Sequence, residues 1–293
     1  METVNQINFK KYRDLGAIIT DTFQFIRENW KGYFGTIIKI SGPALVVLII
    51  AMGYYMYSLG GIIEGFSENT GAINNSDGIG AIIAVAIAIF AGIAFYVLLQ
   101  MSSLYYIKSY IQNNGVANID EVKQNVSQNF WKFFGFGFLM MLIVMIGAML
   151  CFLPGIYLGI VLSLGTSILV FEGKSVGDAI SHSFTLIKDH WWETFGVMIV
   201  VGILVSILGM VFSVPSLIYQ MGSVMTNIGQ DDPTAMLGLF SDPIYLGLTA
   251  LSYIGQFLLS SITLITTVFI YFDLNEQKNL TGTIEQIDSL GGL

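Results

Sequence analysis

The sequence predicts an all-α integral membrane protein with six transmembrane helices, arranged as three parallel repeats of an interfacial amphipathic helix and a two-span hairpin. Of the 293 residues, 54% are hydrophobic and only 11% are charged, which is under half of the roughly 25% typical of soluble domains. The mean hydropathy is +0.72. These values exclude a soluble globular protein and a disordered chain, and the net charge of −8 argues against a nucleic-acid binder.

The six spans follow from runs without charged residues, because a charge at the bilayer centre costs at least about 2.5–3.5 kcal/mol. The runs are 40–63, 78–107, 133–171, 194–230 and 243–272. One span needs about 20 residues, and as one helix the run 133–171 would be about 58 Å long, nearly twice the hydrocarbon thickness. Leu153-Pro154-Gly155 lies at its middle and predicts a turn. We therefore expect a hairpin of two helices, about 132–152 and 155–172.

The basic residues predict the orientation of these spans. If the N-terminus is inside, all 12 lysines and arginines fall on the inner side and none in the outer loops, around 60–77, 153–155 and 223–243. The inner segments are 1–39, 108–132, 172–193 and 273–293. By the positive-inside rule, both termini are cytoplasmic, and we expect the bacterial inner membrane. A five-span chain would put Lys174 and Lys188 outside.

Similar segments precede three of the spans. The segments beginning at Asp14 and Ser175 share seven residues at an offset of 161, from Gly16/Gly177 to Gly35/Gly196, and a weaker copy begins near Ile119. A single membrane domain of three repeats is therefore predicted. Its repeats are about 9–110, 117–172 and 175–275, and a cytoplasmic tail covers 276–293.

Each copy predicts an amphipathic helix lying in the membrane interface. Aromatic residues at its end belong at headgroup depth, and the following glycine (Gly35, Gly135 or Gly196) would ease a bend into the span. The predicted interfacial anchors are Trp30, Phe34, Phe130, Trp131, Trp191, Trp192 and Phe195. The alternative is that these helices form a cytoplasmic docking collar.

Several motifs resemble those of a bacterial membrane-protein family. They are Phe152-Leu153-Pro154-Gly155-Ile156-Tyr157, Val170-Phe171-Glu172-Gly173-Lys174-Ser175, Ala179 to Ser183, Trp191-Trp192-Glu193-Thr194-Phe195-Gly196 and Tyr271-Phe272-Asp273-Leu274. In this order they resemble the membrane domain of glycerophosphoryl diester phosphodiesterases. The resemblance implies a six-helix membrane module. It does not imply phosphodiesterase activity, because about 20 residues follow the last span and the separate hydrolase domain is not among them.

The sixth span has one polar face. Its members are Thr249, Ser252, Gln256, Ser260, Thr263 and Thr267. Their steps of three and four residues keep them on one side of a helix over about 27 Å. Such a face avoids lipid, so it either forms hydrogen bonds between packed helices or lines a groove or pathway.

Lys39 lies about one turn inside the first span. Its stem can snorkel to the inner interface. Alternatively, it forms an ion pair with Glu172 or Asp273, which end spans four and six on the same side.

Other residues give weaker signals. A predicted helix over 175–193 would hold Asp178, His182, Asp189, His190 and Glu193; a solvated face is favoured there over metal binding or proton sensing. Cys151 is expected to be a small hydrophobe within a helix.

No nucleophile, base or metal set has the spacing of a known catalytic site, so neither an enzyme nor a cofactor is predicted. Two functions remain. Small-residue ridges, which are Ala84, Ala88 and Gly92, and Gly155, Gly159, Ser163 and Ser167, favour a non-enzymatic module that packs with a larger membrane complex.

The alternative function is a lipid or small-solute transporter that uses the polar face, with Pro43 and Pro215 breaking spans one and five. The expected partners are membrane lipids and other membrane proteins, and no nucleic acid.

Overall fold

The computed structural model describes residues 7–67, 75–227, 239 and 242–291, which are mainly helical and contain no strand. The helices are α1 (Leu15–Ser67), α2 (Asn75–Gln112), α3 (Ile119–Leu150), α4 (Phe152–Ser163), α5 (Gly165–Phe171), α6 (Val176–Ile187), α7 (Trp191–Asn227), α8 (Pro243–Asn279) and α9 (Thr281–Gly291). The predicted outer loops at 60–77 and 223–243 overlap the gaps. Of their acidic residues, only Asp242 has a described side chain.

The prediction of six spans is confirmed within these residues. Six segments are long and apolar enough to cross a membrane: Leu15–Leu59, Gly78–Gln112, Ile119–Leu150, Phe152–Phe171, Trp191–Met225 and Pro243–Asn279. The fourth span consists of α4 and α5, which are separated by Leu164 alone. The all-α membrane fold follows, because a helix satisfies its backbone hydrogen bonds internally where no water is present.

The hairpin between spans three and four turns at Cys151, not at the predicted Leu153-Pro154-Gly155. Cys151 is extended, with φ −168° and ψ 146°, and is exposed, so the prediction of a helical cysteine is wrong. Pro154 lies in the first turn of α4, where a missing N–H costs nothing. Gly155 serves close packing, since a Cβ there would lie 2.8 Å from the Cβ of Ala148.

The repeated segments do not share one backbone course. α1 and α3 continue through Gly35 and Gly135 as unbroken helices. The chain therefore does not leave the helical conformation at either of these glycines, where a bend was predicted. Only the third copy is a separate helix, α6, which Ser175 caps by accepting a hydrogen bond from the Asp178 N–H. The three-repeat arrangement therefore stays a prediction.

Both predicted helix-breaking prolines lie inside helices. Pro43 is within α1 and Pro215 within α7, and each helix continues past its proline. The transporter hypothesis thus loses the broken spans on which it partly rested.

The chain forms two compact units, each assembled from distant parts of the sequence. Unit 1 comprises Met1–Ile40, Val97–Leu204 and Ser260–Leu293, and unit 2 comprises Ser41–Tyr96 and Val205–Leu259. α1, α2, α7 and α8 each contribute residues to both units. This division does not follow the boundaries of the three predicted repeats.

Unit 1 has an aromatic core. Phe25, Tyr33, Tyr106 and Tyr110 are buried, and Phe25 makes edge contacts with Tyr33 and Tyr110 at ring-centroid distances of 5.9 and 5.3 Å. Such edge contacts are the preferred geometry of aromatic pairs. They hold α1 against α2.

Unit 2 is packed through small residues. Ala84 and Ala88 of α2 are buried, and a Cβ on Gly255 of α8 would lie 2.2 Å from the ring of Phe212 on α7. These helices approach closely because a larger side chain is absent. Ala84 and Ala88, members of a predicted ridge, thus face the interior of this chain.

Candidate functional site

The N-terminal segment, residues 7–14, is built into unit 1 and forms the most elaborate polar site of the described chain. Its Phe9 is only 2% exposed. The Phe9 ring stacks on Phe269 of α8 with centroids 4.6 Å apart and meets Phe25 and Phe272 edge-on. This apolar contact positions the polar residues that follow it along the chain.

Arg13 is the centre of the site. Its side chain is fully buried, with the guanidinium 4.7 Å from the centroid of the Phe269 ring. Nε donates to Oδ2 of Asp21 at 2.8 Å, and Nη1 donates to the carbonyl of Phe9 at 2.6 Å. Further donations go to the carbonyls of Lys11 and Asn8. Burial lowers the pKa of Arg13 from its ordinary value, and the hydrogen bond and charge of Asp21 oppose that shift.

Asp273 joins this segment to the end of α8. Its side chain is buried. Oδ1 accepts a hydrogen bond from the Arg13 backbone N–H at 2.7 Å, and Oδ2 accepts one from Gln277 at 2.9 Å. The residues that precede α1 and the last turns of α8 therefore lie together.

The C-terminal helix α9 closes over the same region. Glu276 accepts hydrogen bonds from the backbone N–H groups of Gly282 and Thr283, at 2.6 and 3.0 Å, and so satisfies the first free donors of α9. Lys10 forms an ion pair with Glu285. Gly282 is needed at its position, because a Cβ there would lie 2.2 Å from the Lys10 carbonyl oxygen.

A cavity of about 320 Å³ adjoins this cluster. Its polar lining includes Asp14, Glu193, Asp273, Thr194 and Gln277. Carboxylate and amide oxygens at these positions can accept hydrogen bonds. The guanidinium of Arg13 already donates to Asp21 and to backbone carbonyls, so it is committed to the fold.

The polar face of span six is used for helix packing in unit 2. Ser252 donates to the carbonyl of Phe212 on α7 at 2.7 Å, and its hydroxyl lies 3.3 Å from that of Ser216. The amide of Gln256 lies against Gly209, where a Cβ would be 2.5 Å from its nitrogen. These contacts are of the interhelical kind that the sequence suggested as one alternative.

The remaining residues of the polar face of span six differ in burial and in hydrogen bonding. Thr267 is buried and donates to the carbonyl of Thr263 within α8 at 2.8 Å. Ser260 and Thr263 are half-buried. The hydroxyl of Thr249 is buried without a hydrogen-bond partner among the described residues.

The structure does not bring Lys39 to either of its predicted partners. Glu172 contacts Lys174 at 2.7 Å and His182 at 3.3 Å, and it accepts a hydrogen bond from Tyr271 at 3.0 Å. Asp273 accepts from Arg13 and Gln277, as described above. Lys39 is exposed, which agrees with the snorkelling alternative.

The predicted anchors fall into two groups. Trp30, Trp131 and Trp192 are 54, 77 and 77% exposed, as residues facing the interface would be. Trp191 instead stacks on Tyr157 and on Phe195, with centroids 5.6 and 4.9 Å away. Phe34 and Phe130 are half-buried, and each makes an edge contact with a neighbouring aromatic residue, Tyr33 and Trp131 respectively.

Sequence reasoning missed the N-terminal site and a group of buried hydroxyls. In the sequence, Arg13 is one of the 12 basic residues of the predicted inner side, and its pattern does not mark it as buried. Tyr33 faces Ser103 and Ser261, but none of the three hydroxyls has a hydrogen bond of standard geometry within the described chain. The sequence offers one signal for this site. Asp273 is an acidic residue directly after the aromatic pair Tyr271-Phe272 at the end of a span, where a carboxylate needs a hydrogen-bond donor from elsewhere in the chain.

Comparison with known proteins identifies one family. The model of the family described as domain of unknown function DUF7847 matches residues 120–274, which is more than half of the chain. The chain belongs to this family. The DUF7847 match begins in the first turn of α3 and ends within α8, so it includes Asp273 but neither Phe9 nor Arg13. No curated protein and no solved structure matches the chain.

The DUF7847 match does not test the resemblance to the membrane domain of glycerophosphoryl diester phosphodiesterases. That resemblance therefore stays a prediction.

Proposed function

We propose that this chain is a non-enzymatic multi-pass membrane module that packs with, or organises, a larger membrane complex. The observation that carries the proposal is the unequal burial of its spans. In α8, 72% of the most apolar window is buried, against 17% in both α3 and α7. The polar side chains of α8 are largely engaged within the chain. α3 and α7 offer their surfaces to lipid or to neighbouring proteins.

The proposed location is the bacterial cytoplasmic membrane, with both termini in the cytoplasm. All 12 basic residues lie in the predicted inner segments, and Asp273 at the end of α8 binds the Arg13 N–H. An even number of spans agrees with this pairing of the two chain ends. Membrane lipids and other membrane proteins are the proposed partners.

The test is to extract the protein from its native membrane in polymer-bounded lipid discs and to weigh the assembly by native mass spectrometry. We expect a second protein in fixed ratio to the 32.2 kDa chain. Gly137→Phe on α3 and Gly222→Phe on α7 add bulk where a Cβ would meet nothing within 4 Å. The second protein should be lost from the variant whose bulky side chain lies on the helix that it contacts, and it should be kept in the other variant. A lone chain, or a homo-oligomer, would contradict the proposal.

The second candidate is a lipid or small-solute transporter that uses the polar face of span six. It is favoured by the hydroxyl of Thr249, which has no hydrogen-bond partner among the described residues, and by the exposure of Gln256, which leave hydrogen-bonding capacity on that face. Gln256→Leu and Ser260→Leu should then abolish the transbilayer movement of a fluorescent phospholipid in proteoliposomes. Tyr253→Phe, at an exposed position of the same helix, is the matched control. Unchanged movement in the leucine variants would count against lipid transport by this face.

A further inference from the structure

Two lysines flank an open groove on the surface of unit 1. The groove has a volume of about 520 Å³ and is lined by Lys39 of α1 and Lys123 of α3, together with Ile40, Leu98 and Trp131 among others. None of the described residues that line it is acidic. The groove therefore carries two positive charges with no compensating carboxylate in its walls.

Neither lysine has a partner in the part of the chain that the structure describes. Lys39 and Lys123 are both exposed. Other lysines differ: Lys11 and Lys174 are ion-paired with Asp21 and Glu172. Lys108 and Lys132 donate to backbone carbonyls. Because like charges repel, two neighbouring lysines are stabilised by an anion between them.

The rest of the lining places the groove at the membrane interface. Ile40 and Leu98 belong to candidate spans one and two, and Trp131 lies in the third. Trp131 is 77% exposed, and tryptophan prefers headgroup depth. An occupant of this groove would thus be charged at one end and apolar at the other.

We propose that this groove binds a phospholipid with an anionic headgroup. Lys39 and Lys123 donate charge-assisted hydrogen bonds to its phosphate, while an acyl chain lies along Ile40 and Leu98. The two lysines give the groove a preference for phosphatidylglycerol over zwitterionic phosphatidylcholine, because only the former leaves a net negative charge beside them. This site is independent of the function proposed above.

The test measures lipid binding by native mass spectrometry of the full chain, released from detergent after titration with phosphatidylglycerol or phosphatidylcholine. We expect the wild-type chain to bind phosphatidylglycerol with a dissociation constant at least about tenfold lower than that for phosphatidylcholine. Lys39→Gln with Lys123→Gln should remove that preference, since two charge-assisted contacts are lost. Lys39→Arg with Lys123→Arg should keep it, which also guards against a variant that fails to fold.

The matched control is Lys188→Gln, which removes one exposed inner-side charge away from the groove and should retain the preference. A second readout locates the lipid: with Trp131 as the only tryptophan, a few per cent of brominated phosphatidylglycerol in phosphatidylcholine discs should quench its fluorescence more in the wild type than in the double glutamine variant. Equal retention of both lipids by the wild type would overturn the proposal. So would an unchanged preference in the double glutamine variant, or an equal loss in Lys188→Gln.

Discussion

Unit 1 and unit 2 are built from different kinds of contact. Unit 1 buries Arg13, Asp21, Asp273 and Glu276, and the guanidinium of Arg13 lies over the Phe269 ring. In the described part of unit 2 no charged side chain is buried, and its buried polar residues are the serines Ser41, Ser58 and Ser252. The contrast shows that, among its described residues, this membrane chain buries charge only in unit 1, which includes both the N-terminal segment and α9. Elsewhere it relies on close helix approach, which a bilayer permits at lower cost.

The largest effect is expected in unit 1, from Arg13→Ala. The substitution leaves three carbonyl oxygens and part of the charge of Asp21 without a donor in a buried setting. Losing one partner of a buried ion pair costs about 3–5 kcal/mol, so the free energy of unfolding should fall by that amount in a denaturant titration of the detergent-solubilised protein.

Lys11→Ala is the control for Arg13→Ala, because Lys11 also pairs with Asp21 but is exposed. Its loss should cost less than about 1 kcal/mol. Equal losses in the two variants would mean that unit 1 does not depend on a buried charge, and the contrast with unit 2 would disappear.

An intermediate effect is expected in unit 2, from Gly255→Ala. The new Cβ would lie 2.2 Å from Cγ of Phe212 and 2.7 Å from its Cβ, too near the backbone of α7 for a side-chain rotation to relieve. Overpacking of this kind costs about 1–3 kcal/mol, measurable in the same titration.

Gly247→Ala on the same helix separates packing from backbone effects, since a Cβ there would meet nothing within 4 Å. It should stabilise the protein by about 0.5–1 kcal/mol through its helix propensity. If Gly255→Ala were equally stabilising, close approach would not be what holds unit 2 together.

The smallest effect is expected at Asp242, a half-buried residue of unit 2 that precedes α8. Asp242 accepts hydrogen bonds from Tyr219 at 2.5 Å and from the Ile244 N–H at 2.7 Å, and these lower its pKa below the ordinary 3.8. A lowered carboxylate pKa stabilises the fold above the ordinary value, and the stabilisation is lost as the pH falls through the folded-state value.

The thermal midpoint of the wild type should therefore drop slightly on acidification below pH 3.8 relative to Asp242→Asn, whose amide oxygen still caps α8 but does not titrate. The same acid-induced drop in both proteins would remove Asp242 as its cause.

The spans were predictable because hydrophobic length is a local property. A run such as 194–230 must cross the bilayer whatever it contacts, and the confinement of the basic residues settled whether the run 133–171 crosses once or twice. The exact turn was less predictable. Pro154 and Gly155 are typical of turns, yet they serve a helix start and a close contact, because Ala148 lies opposite Gly155.

The candidate sites were predictable only in part, because most of their residues find partners far along the chain. Ser252 and Gln256 stood out by their spacing on one face, but their packing depends on Phe212 and Gly209 of another helix. Lys39 was recognisable as an unusual charge, whereas its position beside Lys123 depends on how α1 and α3 meet.

The all-α membrane fold with six spans can be derived from the sequence alone, since hydropathy and charge act on each segment separately. The burial of Arg13 depends on tertiary structure, because its side chain pairs with Asp21 and its backbone N–H binds Asp273, residues that lie 8 and 260 positions further along the chain. The same holds for the division into two units. The residue pattern of a segment indicates whether that segment lies in lipid or in water. The free-energy cost of burying a charge depends instead on the groups that surround the charge after folding.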